Sequence, residues 1–271
     1  MPVINTNVSA INAQNVLKTN SRAMGTAMEQ LSTGTRVNSA KDDAAGLAIG
    51  QTMTAQIRGL NQAVRNANDG INLLQTAEGA MVEQTNMLQR MRELAVQSVN
   101  ATNSASQRAY LNTEFAELTS QISAIGTQKK WNTNTVLASA SLTFQVGVSS
   151  DTTFTVTIAD TTIGSTGLAI DLLAIASAGG ATAALATIDA ALDTVNGQRA
   201  QLGATMNRLT YTADNLSNVS SNLAASRSNI MDTDYATASS QLSKNQIIQQ
   251  AATAMLAQAN QQPQAVLSLL K

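Results

Sequence analysis

The chain has 271 residues and a mass of 28.2 kDa, with 3% aromatic residues, 12% charged residues and 45 alanines, so it must pack with small and aliphatic side chains. It contains no His and no Cys, which excludes disulfides, thiolate nucleophiles, Ser-His-Asp triads and His- or Cys-ligated zinc. A net charge of −1 and a pI near 5.4 supply no basic stripe for nucleic acid, and the carboxylates form no suggestive cluster, so the chain reads as soluble, non-enzymatic and without cofactor or metal.

The opening residues, Met1-Pro2-Val3-Ile4-Asn5-Thr6-Asn7, lack the charged and apolar regions of a cleaved signal peptide. Ile4, Val8, Ile11, Met24, Met28 and Leu31 mark an amphipathic helix over 3–31, where Lys18, Arg22 and Glu29 are the only charges. Leu31-Ser32-Thr33-Gly34 stops that helix with a glycine, and residues 32–38 form a connector. Ser39-Ala40-Lys41-Asp42 has the form of a capping box, with Ser39 as N-cap of the next helix and Asp42 reaching back.

Leu60, Val64, Ala67, Ile71 and Leu74 alternate by four and three, continued by Met81, Leu88 and Ala95 and interrupted at Glu78, Thr85 and Arg92. A second run, Leu111, Phe115, Leu118, Ile122 and Ile125, is unbroken. Residues 141–160 change period: Leu142, Phe144, Val146 and Val148, then Phe154, Val156 and Ile158, alternate with polar residues and predict a β-hairpin with one apolar face. Residues 172–188 are uncharged but rich in Ala, Ser, Thr and Gly, which reads as the weak start of a helix and not a membrane span.

The longest run is Leu185, Ile188, Leu192, Val195, Leu202, Met206, Leu209, Ala213, Leu216, Leu223 and Ile230. A helix over 185–230 is about 70 Å long at 1.5 Å per residue and needs a partner for its stripe. Three such helices predict a mainly α fold: an elongated antiparallel coiled-coil-like bundle over 39–231, carrying the hairpin of 141–160. Residues 235–271 are again amphipathic, with Tyr235, Leu242, Ile248, Met255, Leu256, Val266 and Leu270, and only Lys244 and Lys271 are charged. Chain ends are ordinarily polar. These two pair as a further layer, 1–38 with 232–271, and burying one such stripe is worth several kcal/mol at about 25 cal/mol per Å². Its expected partner is another chain.

Asp42-Asp43 and Asp232-Thr233-Asp234 read as helix caps, because a calcium site needs many more oxygens from a longer loop. The methionines fall mostly in helical stripes as core filler.

Several long motifs in order carry a resemblance. LSTGTRVNSAKDDAAGLAI at 31–49, RNANDGINLLQTAEGAM at 65–81, LQRMRELAVQS at 88–98 and ANQQPQAVLSLLK at the C-terminus are similar to the signatures of bacterial flagellins. The resemblance spans roughly 1–137 and 185–271. It implies a subunit that self-polymerises into the flagellar filament, with the paired termini as the inner axial layer (D0), the bundle and hairpin as the next (D1), and no outer D2 or D3 domain. It also implies export without a cleaved signal peptide through the flagellar type III apparatus, an export chaperone on the C-terminal helices, contacts with hook-associated junction and cap proteins, and an extracellular filament location.

Residues expected to be buried between subunits are Ile4, Val8, Ile11, Leu242, Ile248, Met255, Leu256 and Val266. Arg90, Leu94 and Glu114 match the flagellin residues that contact a vertebrate Toll-like receptor. A hook–filament junction protein, which shares the terminal helices, is the alternative reading. One departure from the family pattern is Gln128-Lys129-Lys130-Trp131-Asn132-Thr133 where flagellins carry Gln-Phe-Asn-Gly, and Thr tolerates positive φ far less well than Gly.

Overall fold

Pro2 and Pro263 are the only prolines, so nothing between them breaks a helix on steric grounds, and the computed structural model is predominantly helical. It describes residues 6–164 and 167–269, with side chains described at all of these except 140 and 262–269. The elements are α1 (Val8–Thr33), α2 (Ala44–Val99), α3 (Ala105–Gln128), β1 (Lys130–Trp131), β2 (Asn134–Thr135), β3 (Ala140–Gln145), β4 (Thr153–Ile158), α4 (Ala178–Met231) and α5 (Tyr235–Leu269). The chain divides into two compact units, Met1–Ala55 with Asn222–Lys271, and Gln56–Ser221.

In Gln56–Ser221, α2 buries two parallel lines with a seven-residue spacing. Leu60, Ala67, Leu74, Met81, Leu88 and Ala95 form the line expected from sequence. Ala63, Gly70, Ala77, Gln84, Met91 and Ser98 form a second, which a search for large aliphatic residues passes over. The three interruptions in the predicted seam are each accounted for. Arg92 meets Asp189 at 2.6 Å, Glu78 meets Arg199 at 3.6 Å, and the buried Thr85 hydroxyl donates to the Met81 carbonyl of its own helix at 2.9 Å. With the Ser220–Asn61 hydrogen bond, these pairs run in opposite order along α2 and α4, so the two helices are antiparallel.

Helix α4 answers with Ala181, Ile188, Val195, Leu202 and Leu209 in one buried line and Ala184, Ala191, Gln198 and Thr205 in the other. Leu185, Leu192 and Met206 of the predicted stripe are half-buried at its margin. Helix α3 adds Phe115 and Ile122 at zero exposure, with Leu111, Leu118 and Ile125 half-buried beside them. Its start is a full capping box: the Ser104 hydroxyl oxygen accepts from the Gln107 amide, and the Gln107 side chain accepts from the Ser104 amide.

Strands β3 and β4 pair antiparallel, with Leu142 opposite Val156 and Phe144 opposite Phe154. The apolar face lies on the helices, and three side-chain amides hold the segment's backbone there: Asn66 on the Gln145 carbonyl, Gln84 on Thr161 and Gln198 on Thr157. Gly70 permits the close approach, since a Cβ there would stand 3.3 Å from the Phe144 ring.

Two local readings need correction. The N-cap of α2 is Asp43, whose carboxylate accepts the Gly46 amide at 2.8 Å; Ser39 instead donates its amide and hydroxyl to Asp42 in the turn ahead of the helix. Residues 172–177 are irregular and not helical. Ile175 is pinned there, its amide donating to Asn112 and its carbonyl accepting the Ser98 hydroxyl. A second hairpin, β1–β2, turns through Asn132 (φ 45°) and Thr133 (φ 74°), so the threonine does adopt the left-handed conformation that favours glycine.

In the other unit, α1 begins on Asn7, whose side-chain oxygen accepts the Ala10 amide, and ends on Gly34 at φ 70°, the expected glycine stop. Helix α5 begins on Asp234, which accepts the Ala236 and Thr237 amides and the Thr237 hydroxyl. The two connectors pair as a short antiparallel bridge. Thr35 faces Asp232, the Arg36 amide donates to Met231, the Thr233 amide donates to Gly34, and the Arg36 guanidinium reaches the Ile230 carbonyl.

Candidate assembly and recognition surfaces

Helices α1 and α5 pack antiparallel through a narrow heptad seam. On α1 it comprises Ala10, Ala13, Leu17, Asn20, Met24, Ala27 and Leu31, and on α5 Ala238, Leu242, Asn245, Gln249, Ala252, Leu256 and Ala259, all buried or half-buried. Three side chains cross it to backbone carbonyls: Asn7 to Ala259 at 2.7 Å, Asn20 to Asn245 at 2.7 Å, and the Tyr235 hydroxyl to Leu31 at 3.0 Å.

The residues expected between subunits fall into three groups. Val8 (55% exposed), Ile11 (48%) and Met255 (67%) stand on the outside of the pair and are free to meet another chain. Leu242 and Leu256 lie in the intrachain seam and Ile248 beside it, all half-buried, so most of their apolar surface is already covered. Ile4 and the side chain of Val266 lie outside the described residues. The sequence reading missed the exposed Val16 and Ile247, which extend the outward apolar surface. The signal that finds them is the seven-residue repeat of Ala238, Asn245, Ala252 and Ala259. Once that line is taken as the inner face, Ile247 must point out.

Arg90, Leu94 and Glu114 are not one surface. The Arg90 guanidinium bonds both Glu93 and Glu114 at 2.9 Å, with Arg90 and Glu114 about half exposed and Glu93 more so, and these two carboxylates, Glu93 first, hold its pKa above the usual arginine value. Leu94 is 1% exposed and belongs to the core beside Met91 and Ala95. Four-residue spacing put it on the Arg90 face. The long arginine side chain leans across to α3, however, while the short leucine follows the buried line of the helix, so Leu94 is removed from the contact set. Arg92 and Asp189 form a neighbouring exposed pair, each shifted by the other: Asp189 below the ordinary carboxylate value, Arg92 above the ordinary guanidinium value.

Among the described residues no group of three or more His, Cys, Asp or Glu side chains is placed to hold a metal ion, and no helix is long and apolar enough to cross a membrane.

Comparison with known proteins fits this geometry. The profile of the bacterial flagellin N-terminal helical region matches residues 4–141, and that of the C-terminal helical region matches 185–270. A flagellin of Halalkalibacterium halodurans is 45% identical over 271 residues, covering 99% of this chain and all of the relative. The flagellar filament 33 kDa core protein of Treponema phagedenis is 40% identical over 285 residues, with 99% of this chain and all of that one covered. The crystal structure of Bacillus cereus flagellin, 29% identical, superposes with a TM-score of 0.51 over 56% of this chain and 88% of its own. Two family regions and full-length identity at this level place the chain in the bacterial flagellins, a structural and non-enzymatic family.

Proposed function

We propose that this chain is the self-polymerising subunit of a flagellar filament, with residues 1–38 and 232–271 forming its inner axial layer and 39–231 the layer outside it. The observation that carries the reading is the outward face of the α1–α5 pair. Val8, Ile11, Val16, Met28, Ile247 and Met255 are each about half exposed or more, although the pair's own seam is already filled. Several apolar side chains left in water on a nearly uncharged helix pair need a cover, and in a polymer other copies of the chain supply it. The same face of α5 suits an export chaperone before assembly and junction or cap proteins at the filament's ends.

Seeding purified chain with short filament fragments and imaging by negative-stain electron microscopy tests this. The unsubstituted chain is expected to give long filaments, while Ile11→Asp, Met255→Asp and truncation after residue 235 are expected to give none with Gln56–Ser221 still helical. Filaments from the Asp variants and the truncation would overturn the mechanism. Short collars from the unsubstituted chain would favour the junction-protein reading.

Receptor recognition is assigned to Arg90 and Glu114 without Leu94. Their support is the exposed, mutually bonded pair on the α2–α3 face. Arg90→Ala and Glu114→Ala are expected to reduce binding to the Toll-like receptor ectodomain while leaving filaments intact. Undiminished binding by both removes the assignment.

A further inference from the structure

We infer that Asn7, Asn20 and Tyr235 are register keys: together with the connector bridge of residues 34–36 and 230–233, and more than the apolar pattern, they select which residues of α1 lie opposite which residues of α5. In the observed register Asn20 faces Asn245 and Leu31 faces Tyr235, which sets Ala13 opposite Ala252, Leu17 opposite Gln249, Met24 opposite Leu242 and Ala27 opposite Ala238. Sliding α5 by one heptad brings Leu17 opposite Leu256, Leu31 opposite Leu242 and Ala13 opposite Ala259. Small residues still meet small ones, and leucine now meets leucine. Met24 exchanges Leu242 for Gln249 as Leu17 exchanges Gln249 for Leu256, so apolar matching alone separates the two pairings only weakly.

What the slip loses is polar. Asn20 would lie opposite Ala252 and Asn245 opposite Ala27. The cross-helix bonds of Asn7, Asn20 and Tyr235 are all broken, as are the connector bonds between Gly34 and Thr233 and between Arg36 and Met231, and the Asn20 amide is stranded inside the seam. A buried polar group without a partner shifts such an equilibrium about tenfold or more, enough to weigh between two registers of similar apolar burial. Asn245 fits the same role from the other side. It is 3% exposed, its carbonyl accepts the Asn20 amide, and its own side-chain nitrogen has no partner. Such a residue weakens the pair as a packing element, and a single buried asparagine in a heptad seam is known to fix alignment at a cost in stability.

The consequence reaches beyond the pair. Register determines how Val8 and Ile11 stand relative to Ile247 and Met255, so a slipped pair would present a different outward surface. The inference itself concerns the fold and holds whether or not that surface polymerises.

The chain has no cysteine, so engineered pairs report register without background. Ala13→Cys with Ala252→Cys reads the native register, and Ala13→Cys with Ala259→Cys reads the slipped one. In the otherwise unsubstituted full chain, oxidation is expected to link the first pair, with the second giving under about a tenth of that yield. Adding Asn20→Ala and Asn245→Ala should raise the slipped-pair yield severalfold, with helicity by circular dichroism retained. Asn7→Ala with Tyr235→Phe should shift it in the same direction by a smaller factor. Native-only linkage in the double-alanine background overturns the inference, as does equal linkage, or none at the native pair, in the chain that keeps its keys. Filament formation is not part of the readout, so failure here is distinct from failure of the proposed function.

Discussion

Both units of this protein are built on a seven-residue repeat, and they fill it in opposite ways. In Gln56–Ser221 the buried positions include Leu74, Met81, Leu88, Met91, Phe115, Ile122, Ile188 and Leu202, all essentially without exposure. In the α1–α5 pair the buried positions are Ala10, Asn20, Ala27, Ala238, Asn245, Ala252 and Ala259, while Ile11, Ile247 and Met255 are left outside. At about 25 cal/mol per Å² of apolar area, an alanine seam returns a fraction of what a leucine seam does. The first unit is thus stabilised from within, whereas the second leaves several of its large apolar residues exposed and half-buries the rest. The same periodicity encodes a filled core in one case and a thin seam with an exposed apolar face in the other, and the size of the residues on the repeat tells which.

The most severe test of that contrast removes a large side chain from each unit. Phe115→Ala or Leu88→Ala should destabilise Gln56–Ser221 by about 3–5 kcal/mol, read as a lower urea midpoint by circular dichroism. Leu256→Ala, half-buried in the α1–α5 seam, should cost under about 2 kcal/mol in the free chain, with its larger effect on seeded polymerisation. Comparable losses in free-chain stability from both units would mean that α1–α5 has a core of its own, and the comparison would fail.

The same contrast explains what could be read from the sequence. The central bundle and the hairpin were legible because Leu60 to Ala95, Phe115 to Ile125 and Ile188 to Leu209 are large residues at regular spacing, and Leu142 to Ile158 switch to period two. The second line of α2 was not, because Ala63, Gly70, Ala77, Gln84 and Ser98 are small or polar and look like surface residues. Gln84 and Ser98 are buried there because backbone carbonyls of Thr161 and Ile175 receive their donors, a pairing no local pattern announces. At the candidate sites, the outward placement of Val8, Ile11 and Met255 follows from helical spacing. The loss of Leu94 to the core does not, since it depends on which way Arg90 leans to reach Glu114. The caps divide similarly. Gly34 was identifiable, whereas the choice of Asp43 over Ser39 depended on which carboxylate aligned with the Gly46 amide.

Two smaller changes sharpen the comparison by acting on one unit alone. Ser104→Ala removes half of the capping box of α3 and should cost about 1 kcal/mol. Thr133→Gly should have the opposite sign. A β-branched residue at φ 74° is strained, and glycine at the second position of a two-residue hairpin turn relieves it, for a net gain of about 0.5–1 kcal/mol after the extra chain entropy of glycine. Both should move the unfolding midpoint of Gln56–Ser221 and leave α1–α5 cross-linking and seeded polymerisation as they were. A change in polymerisation at equal helicity would show that the units are not energetically separable.

The smallest expected effect is a pH dependence at the start of α5. Bonds from the Thr237 hydroxyl and then the Ala236 and Thr237 amides hold the Asp234 carboxyl below the ordinary aspartate value. A carboxyl whose pKa is lower folded than unfolded contributes fully above the unfolded value, about 4, and loses that contribution as pH falls through the folded one. Below about pH 4 the amides of Ala236 and Thr237 should therefore lose hydrogen-exchange protection, while that of Val195, deep in the bundle, should stay protected. Asp189 gives up its Arg92 pair in the same window, but that pair is half exposed and flanks an apolar seam that does not titrate. Asp234→Asn, which keeps the cap without the charge, should flatten the dependence at Ala236. If Val195 and Ala236 lost protection together at low pH, the bundle and the helix pair would be a single cooperative unit, and the division of labour inferred from residue size would have to be abandoned.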